Sequence, residues 1–155
     1  MAGLHRQIYD SAACAEGVEP ILRAVLTETL RDLPVDLTLE IRCGELTVGE
    51  MTVIALLVNE AAINAAKHVF RPNKGTSFEV LLAQVEGGRV QLTMRDDGPG
   101  ISSETAAAPQ GRFGLAVMRG LAAQLGGALE ILEGPGAALR VTFAREQPVD
   151  SGHLS

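Results

Sequence analysis

The run LLVNEAAINAAKHVF, residues 56–70, leaves a chain like this few ways to fold. At about 100° per residue, Glu60, Asn64, Lys67 and His68 fall inside an arc of roughly 100°. Val58, Ala62, Ala65, Ala66 and Val69 fill the opposite side. One flank of this helix can pack while the other gathers an acid, an amide, an ammonium and an imidazole. That polar flank has two possible uses: a solvated face held by helical-spacing pairs from Glu60 to Asn64 and Lys67, or a surface that binds something. These residues alone do not choose between the two.

The rest of the chain supplies the partners for the packed flank. Ile21, Leu22, Val25, Leu26, Leu30 and Leu33 form an amphipathic stripe, which predicts a helix over 18–33 with Pro20 tolerated in its first turn. VDLTLEIR alternates in period two and predicts a strand over 35–42. The long helix follows over 49–70 and stops at RPNKG. Strands over 76–85 and 89–96 are joined by Glu86-Gly87-Gly88, a hairpin signal. Residues 97–112 are too rich in Gly, Ser, Ala and Pro to form a regular element. A third helix over 113–127 ends at a glycine pair, and a second hairpin over 128–134 and 138–144 turns at Gly134-Pro135-Gly136. The order helix, strand, helix, hairpin, loop, helix, hairpin predicts a two-layer α/β (α+β) sandwich. Its sheet is mixed and mostly antiparallel, and three helices cover one face. The expected divisions are a leader or linker over 1–15, one domain over 16–145 and a tail over 146–155.

Composition narrows what such a domain can do. With 155 residues and 46% hydrophobic content the chain can bury a real core, and with 3% aromatic residues that core must be aliphatic. A net charge of −6 argues against nucleic acid or an acidic membrane as a partner, while leaving room for a local cationic pocket. Cys14 and Cys43 are too few for a disulfide framework or a zinc cage and read as small apolar fillers. His5, His68 and His153 lie far apart, without neighbours at metal-ligand spacing. There is no signal-peptide pattern and no uninterrupted apolar run long enough to span a bilayer. A cytoplasmic location without direct membrane contact is therefore the expectation.

Two further clusters carry chemistry. In MRDDGPG, residues 94–100, alternation places Asp96 on the same strand face as Val90, Leu92 and Met94. A carboxylate in an apolar row needs donors, and the exocyclic amine of a purine is one. Gly98 and Gly100 allow a ligand close to the backbone, although DDGPG also suits an ordinary Asp-Gly turn. In GRFGL, Gly111 and Gly114 lead into a helix whose free N–H groups make a phosphate seat. The alternatives are a plain loop ending in glycine, with Arg112 a solvated charge. No phosphate-binding P-loop, dinucleotide fingerprint or nucleophile elbow is present.

Taken together, NEAAINAAKH, DDGPG and GRFGL resemble the N box and the two glycine boxes of the ATP-binding superfamily of gyrase, Hsp90, histidine kinases and MutL. Their order and spacing fit, and the resemblance covers about residues 4–145. Within that superfamily the chain looks most like bacterial sensor histidine kinases of the HWE and related type. Even LHRQIY is similar to the segment that links their dimerisation helices to the catalytic domain. The resemblance implies the Bergerat-type fold, with ATP and Mg²⁺ as cofactors. It implies that Asn64 ligates the metal, that Glu60 orients or polarises the attacking group, and that Lys67 and His68 meet phosphate or ribose-side oxygens. Asp96 would accept from the adenine amine, with Gly98 and Gly100 shaping the pocket. Gly111, Arg112, Gly114 and Leu115 would close over the phosphates, with residues 101–110 as the lid.

The departures also carry information. Arg112 stands where the second glycine box often has another glycine, and a threonine common in the family is replaced around Ala137 and Leu139. Thr142 is out of register for that role. None of the three histidines resembles a phosphoacceptor, so the resemblance implies a catalytic domain whose histidine-bearing dimerisation domain lies elsewhere, in its own kinase or in trans, with a response regulator downstream. A stand-alone regulator similar to anti-sigma-factor serine kinases is the alternative. A domain that has lost nucleotide binding fits poorly with intact Glu60, Asn64, Asp96 and Gly100.

Overall fold

The structure is a computed structural model that describes residues 15–102 and 114–145. Helix α1 spans Ala15–Thr29, starting and ending earlier than the stripe suggests. Pro20 therefore stands beyond the first turn, on the exposed side where its ring meets solvent. After Leu30 the chain reverses through Asp32, whose φ of 64° lies in the left-handed region. Val18, Ile21, Leu22, Leu26 and Leu30 are buried, so the stripe is the packed face.

Strand β1 spans Asp36–Arg42 and leads to α2, Val48–Ala65. Thr47 caps α2 reciprocally: its side chain accepts from the Glu50 N–H while the Glu50 carboxylate accepts from the Thr47 N–H. Two helix-end donors are thereby satisfied and the start of the helix is fixed. The helix then widens into a π turn, Ala66–Phe70, where the Arg71 N–H donates to the Ala66 carbonyl at 2.9 Å. Val48–Phe70 is long and apolar enough to cross a membrane by length and composition. Yet 56% of that window is buried in this domain, as expected of a central core helix.

Strands β2, Ser77–Val85, and β3, Arg89–Asp96, form a hairpin, as do β4, Ala128–Leu132, and β5, Ala138–Ala144. Helix α3, Leu115–Gln124, precedes β4. The sheet order is β1-β2-β3-β5-β4. Only β1 and β2 pair in parallel, because α2 is the crossover between them; the remaining pairs are antiparallel. Phe78, Val80, Leu82, Leu92, Val141 and Phe143 point from the sheet into one aliphatic core shared with the three helices. Cys43 is a half-buried thiol packed beside that core, its pKa raised by desolvation, and Cys14 lies outside the described residues. The expected mixed, mostly antiparallel sheet with helices on one face is the observed fold.

Candidate active site

Asp96 ends the buried row of β3 and is only 7% exposed. Its Oδ1 accepts from the Gly98 N–H at 2.8 Å and the Ala137 N–H at 3.1 Å. The Asp96 N–H in turn donates to the Ala137 carbonyl at 2.9 Å, which ties the carboxylate to the start of β5. Burial pushes its pKa above the ordinary carboxylate value, against the pull of those two N–H donors. Among the described residues no donor reaches its second oxygen, Oδ2. Asp97 beside it is exposed and does something different. It accepts from the Ser77 and Thr76 N–H groups at 2.9 and 2.8 Å, pins the start of β2, and has a pKa held down chiefly by the Ser77 donor.

Glycines let the surrounding backbone close up. A Cβ at Gly98 would lie 2.6 Å from Val69 Cγ2 and 3.2 Å from Asp96 Oδ1. Gly100 has a φ of 92°, so there the DDGPG turn depends on the left-handed freedom of glycine. A cavity of about 190 Å³ opens beside this turn. Ala61, Asn64, Ala65, His68 and Val69 of α2 and its π turn form one wall, and Asp96, Pro99, Gly100 and Ile101 another. Phe78, Met94, Ala137 and Leu139 form the floor, and Lys74 stands at the side.

The structure therefore brings Asn64, His68, Asp96 and Gly100 to one cavity. Glu60 is half-buried just beyond its edge. A Cβ at Gly114, whose φ is 67°, would lie 2.8 Å from Glu60 Oε1 and 3.2 Å from Asn64 Nδ2. Gly114 is thus seated against the polar flank of α2, with Leu115 buried directly after it. Gly111 and Arg112 lie outside the described residues. So do residues 103–110 of the expected lid.

The π turn corrects the sequence reading of the flank. Lys67 is exposed and does not line the cavity, whereas Val69, assigned to the opposite side, does. An α-helical wheel assumes an even angular step, and the wider turn that starts at Ala66 breaks it. His68 has its pKa lowered, first by desolvation and then by the Lys67 charge, so near neutral pH it is mainly an uncharged imidazole. Lys74 and the backbone of Ala137 were not foreseen. The inward-facing Phe78, Met94 and Leu139 follow from strand alternation.

The donor set also bears on metal binding. No group of three or more His, Cys, Asp or Glu able to hold a metal ion occurs among the described residues. The amide of Asn64, with the Glu60 carboxylate one turn earlier, fits a hard cation held mostly by ligand oxygens and water, such as Mg²⁺. It does not fit a metal caged by protein.

The sheet-and-helix fold that carries this cavity is shared with known kinase domains. The histidine kinase domain of a blue-light-activated kinase from Erythrobacter litoralis superposes with a TM-score of 0.74 at 20% identity, covering 92% of this chain and 70% of that one. The mycobacterial sensor histidine kinase MprB gives 0.63 at 21% identity, covering 83% of this chain and 95% of that one. In sequence the chain is 28% identical over 134 residues to the nitrate/nitrite sensor protein NarQ of Escherichia coli, a match covering 84% of this chain. It is 30% identical over 81 residues, 52% of its length, to blue-light-activated histidine kinase 2 of Erythrobacter litoralis. Each match covers 23% of the relative's own length. Residues 49–147 match the family described as histidine kinase-, DNA gyrase B- and HSP90-like ATPase, and the chain belongs to that family.

Proposed function

We propose that residues 16–145 are the ATP-binding catalytic domain of a cytoplasmic sensor histidine kinase. The domain holds Mg-ATP and passes the γ-phosphoryl group to a histidine on a separate dimerisation domain, within its own kinase or in trans, from which a response regulator is charged. Residues 1–15 act as the linker from that domain and 146–155 as a tail. The observation that carries this reading is the pairing of Asp96 with Asn64 across one cavity. A buried carboxylate with one oxygen that no donor reaches among the described residues suits an exocyclic amine, and the Asn64 amide would hold a metal that neutralises phosphate charge. That one sequence relative is a sensor protein and the other a light-activated histidine kinase favours this reading over a stand-alone regulator.

Phosphoryl transfer asks a protein for positioning and charge neutralisation more than for covalent help. Asp96 Oδ2 accepts from the adenine amine and fixes the base. Asn64 would hold Mg²⁺ through its amide oxygen, and the metal would supply charge neutralisation on the phosphates. His68 offers one ring N–H to a phosphate or ribose oxygen. The exposed Lys67 adds a positive charge outside the cavity wall. Glu60, one turn before Asn64, orients or polarises the incoming imidazole, whose nitrogen lone pair attacks phosphorus as the bond to the β-phosphate oxygen breaks and ADP leaves. Gly114, seated on Glu60 and Asn64, lets segment 111–115 close over the phosphates without a side chain in the way.

The decisive test is calorimetric titration of ATP, with and without Mg²⁺, into wild type, Asn64→Ala and Asp96→Asn. Metal dependence is expected to disappear in the first variant and adenine selectivity to fall in the second. Equal binding by all three proteins would overturn the assignment.

A further inference from the structure

Beyond Asp96, a second charged side chain reaches the same end of the cavity. Lys74 lines it, and among the described residues its ammonium has no ion-pair partner. Local backbone geometry puts it there. Asn73 turns the chain with a φ of 64°, and the Lys74 N–H closes the turn on the Val69 carbonyl at 2.7 Å. The next residue runs hard against the acidic turn: a Cβ at Gly75 would lie 2.5 Å from Asp97 Oδ1 and 2.7 Å from Val69 Cγ1. The backbone next to Lys74 is thus held against Asp97 and Val69, and its side chain lines the cavity that Asp96 also lines. The opposite end of the cavity is where Gly114 meets Glu60 and Asn64.

We propose that Lys74 is a specificity residue that reads the nucleobase: its ammonium donates to a ring nitrogen next to the amine that Asp96 accepts. The inference rests on the nucleotide reading above and deepens it. A carboxylate can only accept and an ammonium can only donate. Lining one cavity, the two together match the amine-bearing edge of adenine, where an N–H donor is flanked by bare ring nitrogens. Guanine presents a carbonyl oxygen to the carboxylate on either side; on its N1 side it also turns an N–H toward the ammonium, so there both contacts would be reversed, while on its N7 side only the carboxylate contact would be. Since Lys74 is exposed, water competes for it and the gain falls at the modest end of charged hydrogen bonds.

The test titrates adenosine, ATP and GTP into the full chain as wild type, Lys74→Met and Lys74→Arg, with circular dichroism confirming that each variant is folded. Lys74→Met should weaken ATP and adenosine by the same factor, roughly three- to tenfold, and GTP by less than about twofold. Lys74→Arg should retain most of the preference. Either 1-deaza-ATP or 7-deaza-ATP should bind wild type more weakly than ATP, and its binding should then be insensitive to Lys74→Met. Equal losses for ATP and GTP with none for adenosine would make Lys74 a phosphate contact and overturn the proposal. So would three unchanged affinities. In both cases Asp96→Asn would still weaken ATP if the nucleotide reading holds. Wild type that fails to bind ATP would instead sink that reading itself, and this one with it.

Discussion

The two ends of the cavity are built by different means. At the acidic end, position is set by sheet register: Asp96 pairs with Phe78 across β2 and β3, and Ala137 leads into β5 on its other side. Each hydrogen bond there ties one strand to the next, and the carboxylate has little freedom. At the other end the polar groups ride on one helix, and a single π turn decides which of them face inward. A sheet averages an error over several strands, whereas a helix passes an extra residue on to everything after it. The acidic end should therefore fail through chemistry and the helical end through geometry.

The largest expected effect tests the chemical half of that contrast. Asp96→Asn keeps an oxygen for the Gly98 and Ala137 donors but loses the charge proposed to meet the adenine amine, so ATP affinity should fall roughly tenfold to hundredfold. Stability should move the other way. Because the folded-state pKa of Asp96 is raised, the native state is favoured below the ordinary value of 3.8 and loses stability as pH rises through the raised value. The amide avoids that loss. The ligand-free variant should therefore melt above wild type at pH 7, with the gap closing toward pH 3. A variant that melts lower at every pH would show that burial of the charge is not what the site tolerates for function.

Gly98→Ala tests the geometric half, since Val69 of the π turn and the Asp96 turn touch there. The new methyl must displace Val69, which costs about 1–3 kcal/mol of stability. Adding Val69→Ala should recover part of that loss if the clash is the cause. Equal melting temperatures for the single and double variants would break the link drawn between the two ends.

A smaller effect separates the two adjacent carboxylates. Asp97 is exposed and accepts two backbone donors, and its folded pKa is lowered. It therefore adds stability above 3.8 and loses it as pH falls through the lowered value. Asp97→Asn should lower the melting temperature at pH 7 by a few degrees at most and leave nucleotide affinity nearly unchanged. Its difference from wild type should also vanish toward acid, the opposite stability sign to Asp96→Asn from a neighbouring position.

The same contrast explains what could be read from the sequence. Period-two alternation placed Asp96 on the buried face of β3 and gave the full span of that strand and of β5, because a pleat allows no other side. The order of elements gave the sandwich. The parallel pairing of β1 with β2 was less visible, since hairpin signals mark only antiparallel neighbours. The helix boundaries drifted by several residues in α1, where the apolar stripe runs on into a turn through Leu30 and Leu33. The Thr47-to-Glu50 capping box was available as a signal for the start of α2 and fixes it one residue early. The π turn has no such signature, since its alanine and valine suit either helix. The exposure of Lys67 and the inward placing of Val69 escaped the sequence for that reason, and Lys74, in the loop that follows, carried no periodic pattern.

His68 offers the finest test of the helical end, because the π turn brings it into the cavity while leaving it exposed. Desolvation and Lys67 lower its pKa below 6.5, so the native state favours the neutral ring, is stabilised by it above 6.5, and loses that stability as pH falls through the lowered value. Phosphate or ribose oxygens nearby would favour the charged ring and so oppose the effect of its surroundings. Binding ATP should therefore raise the pKa of His68, and linkage then requires affinity to increase as pH drops from about 7.5 to 5.5, by only a few-fold for so exposed a group. Proton NMR of the ring with and without ATP measures the shift directly, and His68→Phe should flatten the pH dependence while leaving the affinity lost in Asp96→Asn unaltered. An imidazole that titrates identically with and without ATP would mean that the π turn carries His68 past the ligand. The inward wall of the helical end would then reduce to Asn64 and the apolar side chains around it.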